Sequence, residues 1–348
     1  MSTTTTSQRM RRVIVSADHV ASVTSAVTPA PRAGEVLVQS MLVGVCGSDT
    51  HAQHGRHPFI SLPYAPGHEV VGRVVESPDG DSTLRPGQRV VVEPTLPCWG
   101  CKQCLAGRQN LCENLRFFGC VHDQGGMADF FTVPADRLHA VPDDFTDDQA
   151  VLIEPLSTPV HAVRIAGPVG GRSVVVLGGG TIGLMTLTAA LHQGAAKVVV
   201  TDVLDSKRQR ALDLGAHAAL DASRSDVVAA VRDALGESAD VVFDCVATES
   251  TLTAAVGMVL KAGTVVVVGV PTGDVSLPMA IVQDQQVRIQ GSATYLPEDY
   301  EESMAIIRAG GARPEDFITA RYRLEDVADA FDASSSGHHL KVVVTVNE

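Results

Sequence analysis

The sequence predicts an α/β chain in which a β-rich domain is interrupted by a doubly wound, parallel-sheet domain. Three observations carry this reading. Up to about Thr158 the chain reads as short β-branched runs separated by turn residues. Beyond it, continuous apolar runs alternate with helical stretches, the pattern of parallel βαβ units buried on both faces. A glycine-rich turn joins the first of those apolar runs to the first helix.

In chain order, residues 1–12 are Ser/Thr-rich and then basic, which predicts a disordered lead-in. Residues 36–40, 70–76 and 89–92 read as strands, with turns at Pro31, Gly34, Pro78-Asp79-Gly80 and Pro86-Gly87. Ser173–Leu177 reads as a buried strand, 181–193 as a helix, Lys197–Asp202 as a strand and 206–214 as a helix stopped by Gly215. Residues 241–244, 251–260 and 264–270 continue the alternation as strand, helix and strand. Helices near 300–309 and 324–333 and a closing strand at 341–346 predict a tail that rejoins the first domain. The expected division is 1–158 (with a metal lobe at 93–115), 159–293 and 294–348.

The bulk numbers agree with a folded chain of this kind. Its 348 residues are 45% hydrophobic and 19% charged, a globular composition. Aromatics make up only 4%, so aliphatic side chains must fill the cores. A formal charge of -13 repels phosphate backbones and argues against a nucleic-acid partner. The apolar runs are too short to cross a bilayer, and no secretory signal pattern follows the basic start, so a cytoplasmic location and no membrane partner are expected. Seven cysteines, an odd number with four clustered, favour metal binding over disulfides in that setting.

Cys98, Cys101, Cys104 and Cys112 form C-x2-C-x2-C-x7-C. Four thiolates this close complete a tetrahedral zinc shell and leave no open position, so the site reads as structural. An iron–sulfur cluster uses a similar run, and strained disulfides are a third option. A second set is Cys46, His68, Glu69 and Glu154. A catalytic zinc needs about three protein ligands and one open position. His68 and Glu69 are adjacent and point to opposite faces of a straight strand, so both reach one ion only if the chain bends at Gly67. Glu154 precedes Pro155, which predicts an extended residue 154 and a helix opening at 155. Taken singly, Cys46 reads first as a core thiol and His68 as a core or surface polar residue, and the set points to a metal only together with the features that follow.

Gly178-Gly179-Gly180-Thr181-Ile182-Gly183 fits G-x-G-x-x-G between a strand and a helix, and Asp202 follows Gly183 by 19 residues at the end of the next strand. Gly178 permits the tight turn, Gly180 admits a pyrophosphate, and Gly183 lets helix and strand pack closely. The helix beginning at Thr181 and Ile182 offers its positive end to the phosphates. Asp202 accepts from ribose hydroxyls and would repel a 2′-phosphate, which favours NAD over NADP. Lys207 and Arg208 either contact the ribose or phosphate or form a solvated helix face.

Together these features resemble the zinc-containing medium-chain alcohol dehydrogenase superfamily over nearly the whole chain, most of all its sorbitol (polyol) dehydrogenase branch. The stretches that carry the likeness are Cys46-Gly47-Ser48-Asp49-Thr50-His51, His54-Gly55-Arg56, Gly67-His68-Glu69, Ile153-Glu154-Pro155-Leu156-Ser157 and the strand ending at Asp202. The resemblance implies a GroES-like catalytic domain around an inserted Rossmann domain. It implies zinc on Cys46, His68 and Glu69, with Glu154 beside it as ligand or as partner of its water. It also implies a proton relay through Ser48 and His51, and a homo-oligomer, tetramer or dimer. The implied reaction is hydride transfer between a secondary alcohol, diol or polyol and NAD. Threonine-, butanediol- and aminocyclitol-type dehydrogenases are the near alternatives, and a non-enzymatic nucleotide-binding protein of the same fold is the distant one. The polyol branch often carries Arg-Tyr where this chain has Thr294-Tyr295, which puts sorbitol itself in doubt.

Overall fold

The computed structural model describes residues 8–77 and 84–347. The expected turn at Pro78-Asp79-Gly80 lies outside them. Two compact units divide the chain: one runs to Glu154 and resumes at Pro314, and the other is Pro155–Arg313.

The second unit is built on six parallel strands in the spatial order Ala218–Asp221, Lys197–Asp202, Ser173–Leu177, Ala239–Asp244, Val259–Val267, Arg288–Gly291. Ser173–Leu177 is paired in parallel with Lys197–Asp202 on one side and Ala239–Asp244 on the other, so the strand order reverses there, at the switch point where such sheets take ligands. Val174, Val175 and Val176 are fully buried, as a strand covered on both faces must be. Helices Thr181–His192, Asp205–Asp213, Val227–Leu235 and Glu249–Met258 alternate with these strands. The strand Ala218–Asp221 went unforeseen, because it is a short, half-buried outer strand whose Ala-Ala-Leu run has no β-branched or aromatic residue to announce it.

The first unit is organised on a seven-stranded sheet. Ile318–Arg323, Lys341–Thr345, Glu35–Val45, Glu69–Glu76, Arg89–Val92 and Leu138–Ala140 follow one another across it, and Phe130–Pro134 also pairs with Glu35–Val45. Their inward residues, among them Val36, Val38, Val43, Val70, Val90 and Val342, form one aliphatic core with Phe118, Phe131 and Phe331. The tail does rejoin this sheet: Lys341–Thr345 runs antiparallel to Glu35–Val45, with Val342 opposite Val45 and Thr345 opposite Leu42.

Three sequence expectations need correction. Arg9–Val15 is a strand paired with Ala21–Val27, so the basic segment is not a disordered lead-in from residue 9 onward. Arg11 is tied down by ion pairs to Asp129 and Glu325. The segment 294–313 belongs with the second unit, because helix Pro297–Arg308 buries Tyr300, Ile306 and Ile307 and its Asp299 binds His161 and Arg164 of helix Ile153–Ala166. That helix opens at Ile153, so Glu154 is helical and not extended. Pro155 is tolerated there because amides of the first turn have no intrahelical acceptor.

Candidate active site

The second sequence-predicted metal set comes together where two strands pair. Glu35–Val45 and Glu69–Glu76 are antiparallel, with Gly44 opposite Glu69. Cys46 lies just past the end of one strand and His68 just before the start of the other. Gly67, at φ +103°, supplies the bend that lets adjacent His68 and Glu69 face one point. A Cβ at Gly67 would meet the Met127 amide nitrogen at 2.6 Å, so only glycine fits. Ligand atoms of Cys46, His68 and Glu69 all lie within 4.8 Å of one another, with His68 and Glu69 buried. A thiol, an imidazole and a carboxylate at that spacing fit a zinc ion with a position to spare.

Around this set is a layer of groups that the sequence reading did not assign. Asp49 is fully buried and joins two of the three residues: one carboxylate oxygen accepts the Cys46 N–H at 3.1 Å, and the other lies 3.9 Å from His68 Nδ1. Tyr64 donates its hydroxyl to that same oxygen at 3.2 Å. Buried Cys120 sits 3.4 Å from His68 Nδ1. Burial disfavours a charged His68, yet Cys120, Asp49 and Cys46 together raise its pKa well above the usual value. In turn, burial pushes the carboxyl of Asp49 and the thiol of Cys120 up. Such surroundings hold an imidazole's Nδ1 side and leave Nε2 for a ligand.

Lys341 is the largest surprise. It donates to both oxygens of Glu69, at 2.5 and 2.7 Å, in a pair almost wholly out of solvent. Burial works against its charge, but Glu69 and Cys46 outweigh it and raise the pKa; Glu154 acts in the same sense. Glu154 therefore belongs to the same electrostatic neighbourhood, buried in the first turn of its helix. A lysine opening an otherwise apolar strand, Lys341-Val342-Val343-Val344, was the one available signal of a buried cation.

Ser48 and His51 sit on the short helix Gly47–Gln53, three residues apart and hence on one face. Ser48 is half-buried and His51 is exposed, so the pair runs from the site outward.

The four-cysteine lobe is assembled as the spacing predicts. Sulfurs of Cys98, Cys101, Cys104 and Cys112 lie within 4.8 Å of one another, with Cys101 3.5 Å from Cys104 and 3.9 Å from Cys112. A tetrahedral shell with Zn–S bonds of about 2.3 Å requires sulfur separations near ~3.8 Å, so the cradle fits zinc. Backbone N–H groups of Cys98 and Asn114 donate to Cys112 Sγ at 3.2 and 3.3 Å. Backbone donation from Gly100 lowers the Cys98 thiol to about 6, and burial pushes Cys104 up to about 12. The lobe is pinned by Trp99, whose ring lies 5.1 Å from the Arg137 guanidinium carbon. Arg137 is itself held by fully buried Glu93 at 2.5 Å, which also binds His139 and Thr95.

In the second unit the glycine turn has the expected form. Gly178 has φ +96° and donates its N–H to Thr201 O. A Cβ on Gly183 would stand 1.7 Å from Gly178 O, which enforces glycine where helix and turn touch. Gly180 differs: its backbone is ordinary, at φ -75°, and an added Cβ would meet no protein atom. Neither strain nor packing requires glycine there, and the open space above it is what a pyrophosphate would fill. Helix Thr181–His192 begins at that point. Asp202 reaches back to the turn: its carboxylate accepts from Gly179 N and Leu204 N, both at 2.8 Å. Lys207 lies against Gly179, while Arg208 is occupied by the carbonyls of Asp202 and Val203 and by Asp205.

Known proteins resemble this chain in sequence and in fold. The family model "Alcohol dehydrogenase GroES-like domain" matches residues 32–143 and "Zinc-binding dehydrogenase" matches 181–309. The chain is 34% identical to a sorbitol dehydrogenase of Bos taurus, over 91% of this chain and 90% of that protein. A zinc-binding dehydrogenase structure from Sinorhizobium meliloti, bound to NADP, is 31% identical and superposes with a TM-score of 0.91, covering 97% of this chain and all of that one. The 2R,3R-butanediol dehydrogenase of Bacillus subtilis is 26% identical, with a TM-score of 0.90 over 97% of this chain and all of that one. Among the described residues no helix is long and apolar enough to cross a membrane. The non-enzymatic alternative gives way before these likenesses: the chain belongs to the zinc-containing medium-chain alcohol dehydrogenases, near their sorbitol dehydrogenase branch, and is a zinc- and NAD(P)-dependent oxidoreductase of alcohols and polyols.

Proposed function

We propose that Cys46, His68 and Glu69 hold the catalytic zinc, with Glu154 as a further carboxylate beside it, and that secondary alcohols, diols or polyols are oxidised there with NAD. The observation that carries this is the convergence of three chemically distinct ligand atoms within 4.8 Å, backed by a buried lysine and a buried aspartate. Zinc supplies a Lewis acid that acidifies the alcohol, and the nicotinamide accepts the hydride. The chain's own residues do the rest. Asp49 and Cys120 hold His68 by Nδ1, and Lys341 holds Glu69. Ser48 takes the departing proton and His51 passes it to solvent, as their half-buried and exposed positions on one helix face suit. Cys98, Cys101, Cys104 and Cys112 hold a structural zinc, since four thiolates leave no place for substrate.

Gly178, Gly180, Thr181, Ile182 and Gly183 seat the pyrophosphate, and Asp202, with Lys207 beside it, reads the adenosine ribose. NAD is preferred, because a 2′-phosphate would face the Asp202 carboxylate. The protein works as a dimer or tetramer in the cytoplasm. Arg288–Gly291 leaves one edge of the six-stranded sheet open, with Met279 and Ile281 exposed in the preceding helix, and edges of that kind invite a second copy. None of its seven cysteines is in a disulfide, and five of them belong to the two metal sets, which suits a reducing compartment.

A panel of simple alcohols, vicinal diols, threonine and polyols, followed at the nicotinamide absorbance with NAD and with NADP, tests this reading. Turnover of a diol or polyol with NAD is expected. No turnover of any alcohol by zinc-loaded protein would sink it.

A further inference from the structure

After helix Gly47–Gln53 the chain reverses through Gly55, at φ +66°, and the Arg56 N–H bonds back to the carbonyl of His51 at 2.8 Å. His57 is therefore the first residue beyond a point pinned to the relay histidine's own turn. It is followed by Pro58, which restricts the backbone of residue 57 to extended conformations. Its ring is fixed as well. The Phe59 N–H donates to His57 Nδ1 at 3.2 Å, and the Phe59 ring meets it edge-on with centroids 6.0 Å apart.

A ring nitrogen that accepts an amide proton carries none of its own. The imidazole is then neutral and its proton sits on Nε2, a donor on the other side of the ring from the Phe59 amide. Burial lowers the pKa of His57, and the nearby charges of His51 and His68 lower it further, so the neutral form holds at neutral pH. The loop that carries His57 leaves the same short helix that Cys46 caps and that bears Ser48 and His51. Phe59, next but one, is 74% exposed, a large apolar surface beside a single fixed N–H. One donor next to one apolar face matches a short carbon chain that bears a hydroxyl.

We propose that His57 is a substrate-binding residue whose Nε2–H holds a second hydroxyl of the substrate, so that the site selects diols and polyols over simple alcohols. This rests on the assignment of Cys46, His68 and Glu69 as the reacting centre. Nothing in the reaction passes through His57; it orients the substrate and reads its second oxygen.

The experiment compares kcat/KM for 2,3-butanediol and 2-butanol in the wild-type enzyme, His57→Leu and His57→Gln. These substrates differ by one hydroxyl on the same carbon frame. His57→Leu should lower the diol-to-alcohol ratio about tenfold, the value of one hydrogen bond to a substrate hydroxyl, with the loss in the diol's KM. His57→Gln keeps an N–H donor and should recover most of the ratio. A ratio within about twofold of wild type in His57→Leu, or equal ratios in the two variants, overturns the proposal. A misfolded His57→Leu leaves the decision to His57→Gln, whose ratio must then stay within about threefold of wild type. Wild-type protein that oxidises neither compound overturns the reading of the reacting centre itself, and this inference with it.

Discussion

Gly44 is where the site's geometry is most exposed to a single methyl group. A Cβ added there would stand 1.8 Å from Glu69 Oε2, 3.0 Å from Cδ and 3.1 Å from Cβ. Ordinarily the far end of a glutamate moves aside. Here the carboxylate is clamped by Lys341 at 2.5 and 2.7 Å, with side-chain exposures of 1% and 4%, so moving it separates a buried ion pair. Breaking such a pair costs about 3–5 kcal/mol. Alanine returns about 0.5–1 kcal/mol, because glycine is a poor strand residue. The net loss for Gly44→Ala is therefore about 2–4.5 kcal/mol, and at roughly 2–4 °C per kcal/mol the melting transition falls by roughly 4–18 °C. The metal set changes at the same time, since Glu69 can no longer face Cys46 and His68. Calorimetry and elemental analysis read the two effects separately: the melting temperature drops, and zinc falls from two per chain toward one. A variant that melts within about 2 °C of wild type and keeps both zinc ions would refute the placement of Glu69 and its clamp.

Asp202→Ala should lower the NAD-to-NADP ratio of kcat/KM by at least about tenfold, because the carboxylate that repels a 2′-phosphate is gone; an unchanged ratio means another residue reads the ribose. Cys98→Ser should remove one zinc per chain while NAD binding, measured by calorimetric titration, persists; loss of both metals would show that the two sites are not independent. Trp99 is the only tryptophan and is seated between two lobe cysteines against Arg137, so stripping the lobe metal with a chelator should shift its emission to the red. An unshifted spectrum with the metal gone would contradict that seating. Glu93→Gln leaves Arg137 without its buried counter-charge and should cost about 3–5 kcal/mol in denaturant unfolding; a loss below about 1 kcal/mol would mean the network holds nothing.

Features that depend on neighbours along the chain were readable in advance. Ser173–Leu177 and Lys197–Asp202 form with the bounds that their apolar runs suggested, because a strand covered on both faces shows as an uninterrupted hydrophobic stretch. The glycine turn needs only short-range geometry, and the Cys98-to-Cys112 cradle closes within a single loop. Arg9–Val15 was hidden because its basic composition looks solvated, whereas its Arg11 is neutralised by Asp129 and Glu325 from far along the chain. Ala218–Asp221, half-buried along its length, has too weak a pattern to stand out.

The site divides in the same way. Local order along the chain sufficed to nominate Cys46, His68, Glu69 and Glu154 by chemical type and to place the glycine turn before its helix, while Ser48 and His51 came from the family resemblance. Tertiary structure alone decided which of these share a point in space. The antiparallel register that sets Gly44 against Glu69 brings Cys46 to His68, and no spacing along one chain encodes a register between two strands. Lys341 reaches Glu69 across 272 residues, and Cys120 reaches His68 across 52. Such partners are selected by burial: an ionised carboxylate removed from water must find a counter-charge, and only the folded chain determines which cation is there to meet it.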